Sequence, residues 1–338
     1  MTISALTLSI FAVVAAALLS AGTTRAILPW LLQHALAKPN ARSSHRVPTP
    51  QGGGIAVIAA TLAVAGTIAA WAATVPLNIP IALSAATLFI AIVGFADDIK
   101  SIPVLSRLLL QALAVGAILF TASSDLRIVP ACPLWIERGL LLLAGLWFVN
   151  LVNFMDGLDW MTVAEVVPIT GAMIAVGSLG EFPVSATIVA AALCGAMLGF
   201  APFNRPVARI FLGDVGSLPI GLLLGWCLLQ LAWSQHIAAA LLLPLYYLAD
   251  ATVTLLRRLV RREPFWAAHR SHFYQRATDN GFTVLRVVSE VFALNVGLAV
   301  LAIASTGTQS VAIDVMLMIV GGCGVALTMY RFSRPRPA

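Results

Sequence analysis

Residues 47–96 read VPTPQGGGIAVIAATLAVAGTIAAWAATVPLNIPIALSAATLFIAIVGFA, fifty consecutive positions without Asp, Glu, Lys or Arg. A water-soluble domain is about 25% charged, so a stretch of this length would ordinarily carry roughly a dozen such residues. Crossing a hydrocarbon core about 30 Å thick takes about 20 mostly apolar residues, and the stretch holds two such segments, 53–73 and 79–96. Working outward, residues 182–204, 215–249 and 291–313 are equally free of charge. Over all 338 residues, 60% are hydrophobic and 10% charged. That balance excludes a soluble globular enzyme, a disordered chain and a coiled coil. The fold class is an all-α polytopic membrane protein.

Apolar runs set against proline, glycine and charge predict eleven spans, near 3–23, 53–73, 79–96, 105–122, 138–154, 162–179, 183–202, 215–233, 237–256, 284–304 and 311–331. The N-terminal run lacks the basic residues that open a secretory signal peptide and is expected to stay as the first span. Alternating loops divide the twenty Lys and Arg unevenly, with only Arg127 and Arg138 on one side and the other eighteen opposite. Basic residues gather on cytoplasmic loops, which predicts an outside N-terminus and a cytoplasmic C-terminus. The chain then reads as one integral domain over 1–338, with cytoplasmic loops near 24–52, 97–104, 155–161, 203–214 and 257–283. Topology and attraction to the lipid bilayer account for the net charge of +6. No aromatic-interleaved basic module suggests nucleic acid.

Acids at span ends stand outside that account. Asp97 and Asp98 end the third predicted span, Asp156 and Asp159 follow the fifth, and Asp214 opens the eighth, all on the predicted cytoplasmic side. Singly, each reads as a helix cap. Five from three loops point to a site. Asp97 and Asp98 repel each other unless a cation lies near, and Asp156 and Asp159 share a face if the turn between them is helical. The four cysteines (Cys132, Cys194, Cys227, Cys323) have no metal-binding spacing. Oxygen ligands alone favour Mg²⁺ or Mn²⁺, and magnesium takes one or two protein carboxylates and completes its shell with water and substrate phosphate.

Glycines flank these acids: Gly52-Gly53-Gly54, Gly157, Gly213 and Gly216. Close approach to phosphate and tight packing explain Gly52-Gly53-Gly54 equally well, whereas Phe211-Leu212-Gly213-Asp214-Val215-Gly216-Ser217 opens a span and favours phosphate. The last predicted cytoplasmic loop carries His269-Arg270-Ser271-His272-Phe273-Tyr274-Gln275-Arg276, in which His269, His272 and Arg276 share a face on a helix. A zinc pair there lacks further nitrogen or sulfur ligands, so phosphate contacts are preferred, with a surface amphipathic loop as the plain alternative. Asp250 lies seven residues before Arg257, about 10 Å deeper along a helix, either as a partner for a neighbouring span or as part of the polar cleft.

Together these segments resemble the polyprenyl-phosphate N-acetylhexosamine-1-phosphate transferase superfamily, glycosyltransferase family 4, over nearly the whole chain. The motifs are Lys38-Pro39-Asn40 through His45; Pro48-Thr49-Pro50 to Gly54; Asp97-Asp98; Asn150 to Asn153-Phe154-Met155-Asp156-Gly157-Leu158-Asp159; Asn204 to Ser217; and the histidine loop. The resemblance implies transfer of a sugar 1-phosphate from a UDP-sugar to undecaprenyl phosphate in the bacterial inner membrane, with release of UMP. It also implies that Asp156 holds Mg²⁺ and that Asp97 and Asp98 serve the metal or the lipid phosphate. Asp97 and Asp98 are thus the expected catalytic pair, and Asp156 and Asp214 the expected metal ligands. Lys38, Asn40, Arg42, His45, Asn150, Asn153, Asp159, Asn204, Gly213, Ser217, His269, Arg270, His272 and Arg276 are the expected substrate contacts.

Three positions depart from the family pattern. Ala37 stands where many members carry Asp, and Trp160 replaces the glycine that closes the Asp-Gly-x-Asp-Gly run. The histidine loop has two histidines, not the tight cluster of three found in the muramoyl-pentapeptide branch. That last difference favours the initiating sugar of a surface polysaccharide or O-antigen. Two mechanisms fit the residues: direct attack of the lipid phosphate on the sugar-bearing phosphorus, or a covalent aspartyl-phosphate on Asp98. The alternative class is a secondary transporter or channel, which calls for acids nearer the membrane midplane. Sugar identity and homodimer formation are left open by the sequence.

Overall fold

The computed structural model describes residues 5–37, 48–71, 81–264, 269–308 and 310–335. Apart from one small hairpin, its regular structure is helical. The order is α1 (Ala5–His34), β1 (Leu36–Ala37), β2 (Thr49–Pro50), α2 (Gly54–Trp71), α3 (Ile81–Ile99), α4 (Val104–Thr121), α5 (Leu134–Met155), α6 (Met161–Ser178) and α7 (Val184–Phe200). Then come α8 (Asp214–Trp233), α9 (Ile237–Leu242), α10 (Leu245–Val260), α11 (Phe273–Asp279), α12 (Val284–Thr306) and α13 (Val311–Phe332). Among the described residues nine helices are long and apolar enough to cross a membrane, and α7 is a shorter apolar helix. The chain is a polytopic membrane protein.

Of the eleven predicted spans, the seventh is the shorter helix α7 and the ninth is not among the nine; the first and ninth also differ in extent. The first runs on to His34, because Arg25 does not interrupt a helix and the following residues stay apolar, with Pro29 accommodated inside it. The ninth is broken into α9 and α10 at Pro244, whose ring supplies no N–H to continue the ladder.

Helix α8 is the axis of the bundle, buried along nearly its whole length against α2, α3, α5, α7 and α9. Small residues bring helices together, as in membrane bundles generally: Gly195 and Gly199 of α7 lie against the backbone of Val13 and Ala17 on α1. Helix α13 is peripheral and turns Val311, Met316, Ile319 and Leu327 outward. Arg127 and Arg138 gather near the C-terminal end of α8. There Arg127 pairs with Glu137 at 3.0 Å, and the Arg138 guanidinium lies 5.3 Å from the centre of the Trp233 ring. Asp214 begins the same helix, so the two minority cations and this acid occupy opposite ends of the bundle axis.

The β1–β2 hairpin pairs Leu36 with Pro50 and Ala37 with Thr49, antiparallel. Beyond it the chain lies along the 211–212 backbone, where Gly53 N–H donates to Phe211 O at 2.9 Å and Gly54 N–H to Leu212 O at 2.8 Å. This seam carries the glycine-rich segment to the start of α8. Lys38, Asn40, Arg42 and His45 fall outside the described residues.

Candidate active site

The site is built around the first turn of α8. Gly213, at φ 77°, caps that helix and turns its leading amides outward. The carboxylate of Asp98, from the end of α3, receives two of them: Asp214 N–H at 2.9 Å on Oδ1 and Val215 N–H at 3.0 Å on Oδ2. Gln51 donates a third hydrogen bond, from Nε2 to Asp98 Oδ1. A side chain at 213 would strike this carboxylate, and one at Gly54 would collide with the backbone of Gly216. The Gly54 and Gly216 pair therefore serves packing, and the helix N-terminus expected to receive a substrate phosphate already holds an internal anion, Asp98.

Asp97 faces another way. It accepts the Ile102 N–H at 2.6 Å on Oδ1 and the Arg107 guanidinium at 2.8 Å on Oδ2. Arg107 also lies 3.8 Å from Asp214 Oδ2, bridging the two acids. Asn153, in the last turn of α5, donates to Asp214 Oδ1 at 2.7 Å and to the Ser217 hydroxyl at 2.9 Å. Thus α3, α4, α5 and α8 converge through one hydrogen-bonded network. Asp97 and Asp98, expected as the reacting pair, both turn their oxygens toward donors of the scaffold.

Asp156 lies in the turn between α5 and α6 and is half-buried. Thr162 donates to its Oδ1, while Oδ2 accepts no hydrogen bond among the described residues. Burial first, then the negative charges of Asp214, Asp98 and Asp159, push its carboxyl up to about 8. A carboxylate in such surroundings favours a cation. Asp159 does not share its face, because the intervening turn is not helical.

The histidine loop packs onto this turn. Tyr274 OH donates to Phe154 O at 2.9 Å, and a side chain at Gly157 would run into that hydroxyl. Helix α11 starts only at Phe273, so His269 and His272 lie in its non-helical approach, with ring centres 4.9 Å apart. Arg270 is turned along the loop toward Thr278 at 2.8 Å and Asp279 at 3.3 Å. Arg276 lies 6.0 Å from the centre of the Phe273 ring.

The family description "Glycosyl transferase family 4" matches residues 80–232, which contain the network from Asp97 to Ser217. A phospho-N-acetylmuramoyl-pentapeptide-transferase of Streptococcus gordonii is 30% identical over 224 residues, covering 61% of this chain and 67% of its own. The chain belongs to glycosyl transferase family 4. Two further members align over more of it. A protein of Bacillus subtilis named probable undecaprenyl-phosphate N-acetylglucosaminyl 1-phosphate transferase is 26% identical, over 77% of this chain and 76% of its own. The decaprenyl-phosphate N-acetylglucosaminephosphotransferase of Mycobacterium leprae is 28% identical, over 80% and 77%.

Within this family-4 chain several expected contacts are engaged in the fold itself. Asn150 is buried between α4 and α5 and donates to Gln111 at 2.6 Å. Asp159 receives the Ala208 N–H at 3.0 Å, and Asn204 joins the Trp160 N–H, at 2.8 Å, to Ile210 O, at 3.0 Å. These three residues hold the 201–212 loop and the helix pair that frame the site. Ser217 is likewise fully buried, as the partner of Asn153. Trp160, the departure from the family glycine, sits at φ 64°. A bulky residue there is strained, and it is secured by Asn204 and by its own indole N–H to Ala201 O at 2.6 Å.

Sequence reading passed over four contributors: Gln51, Arg107, Thr162 and Tyr274. In the sequence Arg107 reads as one of the topology charges, because no short spacing ties it to Asp97 or Asp214. Gln51 lies within the Pro48–Gly54 motif, yet its partner Asp98 is 47 positions away.

Proposed function

We propose that this chain transfers a sugar 1-phosphate from a UDP-sugar to a polyprenyl phosphate such as undecaprenyl phosphate, releasing UMP. One observation carries the reading: the motif acids Asp97, Asp98 and Asp214 converge with Asn153 and Arg107 on one end of α8, electrostatically coupled to Asp156. The acids lie at helix ends, away from the midplane where an ion-translocating transporter would want them. The named activities of the Bacillus and Mycobacterium relatives support the acceptor and the N-acetylhexosamine 1-phosphate group. The two-histidine loop supports a product that starts a surface glycan at the cytoplasmic face of the bacterial inner membrane.

Mg²⁺ fits the donor set, with Mn²⁺ as a substitute. Asp156 offers Oδ2, and Asp214 offers Oδ2, which lies 3.8 Å from the Arg107 guanidinium and beside the Asp97 carboxyl. Among the described residues no three His, Cys, Asp or Glu side chains form a ready cage. One or two carboxylates suit magnesium, which keeps water and phosphate oxygens, and do not suit a closed zinc site. When bound, the ion would neutralise the pyrophosphate of the donor.

The protein's own part is alignment and charge placement, which phosphoryl transfer chiefly needs. A lipid phosphate oxygen attacks the sugar-bearing phosphorus, and UMP departs with the bridging oxygen. The acceptor is largely ionised already, its second pKa being about 6, so little is required of a base. Arg107 and Asn153 hold Asp214 in register, while Asp98 fixes the α8 terminus. Asp98 is a poor nucleophile in this setting: making an acyl phosphate would give up charge that two helix amides and Gln51 stabilise. Direct displacement is therefore the favoured course. Detergent-purified protein should release UMP from a UDP-N-acetylhexosamine only with undecaprenyl phosphate and divalent cation present. Isotope-labelled enzyme appearing without lipid would overturn direct displacement, and absence of release across a panel of UDP-sugars would overturn the transferase reading.

A further inference from the structure

Asp250 on α10 has no exposed surface, a setting in which a carboxylate must be fully partnered. It has five partners. Its Oδ1 receives the Phe273 N–H at 3.0 Å and the Thr254 hydroxyl at 3.2 Å, and stands 3.2 Å from His272 Nδ1. Its Oδ2 receives the Tyr274 N–H at 3.1 Å and the Tyr246 hydroxyl at 3.2 Å. Three consecutive residues of the histidine loop are thus tied to one side chain. Tyr274, the last of them, docks the loop on Phe154, two positions before Asp156.

The same bonds fix the proton on each ring. Oδ1 is an acceptor, since the Phe273 N–H and the Thr254 hydroxyl donate to it, so in the neutral His272 ring the proton is on Nδ1 and Nε2 keeps its lone pair. At His269 the opposite holds. Its Nδ1 faces the Ser271 hydroxyl at 2.9 Å and the Ser271 N–H at 3.4 Å, and a backbone N–H can only donate. Nδ1 therefore accepts, and the His269 proton is on Nε2. Two imidazoles 4.9 Å apart are set in opposite tautomers.

We propose that Asp250 is the positioning residue of the histidine loop: by taking the Nδ1–H of His272 it presents the Nε2 lone pair of that ring to a hydrogen-bond donor of the bound nucleotide-sugar, a hydroxyl or an amide N–H. This rests on the transferase reading of the site. Loss of the contact weakens binding of the donor substrate and leaves the chemical step intact.

Full-length protein with ¹⁵N-labelled histidines in detergent provides the test, since two-bond nitrogen–proton correlations show which ring nitrogen is protonated. The wild type is expected to show a neutral Nδ1–H histidine that disappears in His272→Gln. Asp250→Asn should shift that signal to the Nε2–H or a mixed form. It should also raise the KM for the UDP-sugar about tenfold, the effect of one lost hydrogen bond, with kcat changed less than about threefold. Tyr246→Phe deletes one bond to Asp250 and none to the loop, and should keep both tautomer and KM. An Nε2–H form of His272 in the wild type overturns the proposal, as does an unchanged KM in Asp250→Asn. The wild-type spectrum decides even where the variant does not fold. If wild-type protein releases no UMP from any UDP-sugar, the transferase reading fails on its own, and the proposed contact to a nucleotide-sugar falls with it, whatever tautomer the spectrum shows.

Discussion

Asp156 is the residue on which charge and chemistry meet. Its carboxyl is held up to about 8 by burial and by Asp214, Asp98 and Asp159, against an ordinary value of 3.8. Ionising it therefore disfavours the fold: the penalty is absent below about pH 4 and grows until about pH 8. Without divalent cation, Asp156→Asn should melt at a higher temperature than wild type at pH 9 and at the same temperature near pH 4. A bound cation needs the ionised form, so Mg²⁺ affinity should rise about tenfold per pH unit below 8 and level off above it. Isothermal titration across pH 6 to 9 measures this, and a flat profile would remove Asp156 from the ligand set. Asp156→Ala should abolish turnover without unfolding the protein.

At the scale of elements, the decisive feature is the crowded start of α8. Asp98→Ala would leave the Asp214 and Val215 amides without their acceptor, at a cost of about 1–3 kcal/mol each. Thermal unfolding should show this loss even in assays that never see substrate, which separates a strut from a purely reacting group. Gly54→Ala should be destabilising by about 3 kcal/mol, because the α2 and α8 backbones cross with no room for a methyl group. The helices themselves were legible in the sequence, since each membrane crossing must be a long apolar run. The crossing of α2 over α8 was not, because hydropathy says nothing about which helices touch. Nor was the roof of the site: Asp250 reads as one buried acid until the loop 22 positions later is seen to close on it. Trp160 was visible as a departure, but its left-handed backbone and its two hydrogen bonds belong to tertiary structure.

At the scale of the whole molecule, the acid network lies at the N-terminal end of α8 and the two minority cations, Arg127 and Arg138, lie at the other. The uneven division of basic residues sets Arg127 and Arg138 apart in the sequence, because it depends on counting spans and not on packing. Cysteines introduced at Lys100 and Arg127, in a background lacking the four native thiols, should be labelled from opposite sides of the membrane, position 100 from the cytoplasm. Labelling of both from one side would break the alternation on which the cytoplasmic site depends.

The central claim concerns what passes between two phosphorus centres at the acid network, and mass spectrometry of the lipid product reads it directly. Purified protein incubated with undecaprenyl phosphate, a UDP-N-acetylhexosamine and Mg²⁺ should yield the polyprenyl diphosphate sugar with one equivalent of UMP. Asp156→Ala should yield neither. A wild-type product lacking the second phosphorus, or UDP released in place of UMP, would contradict the account.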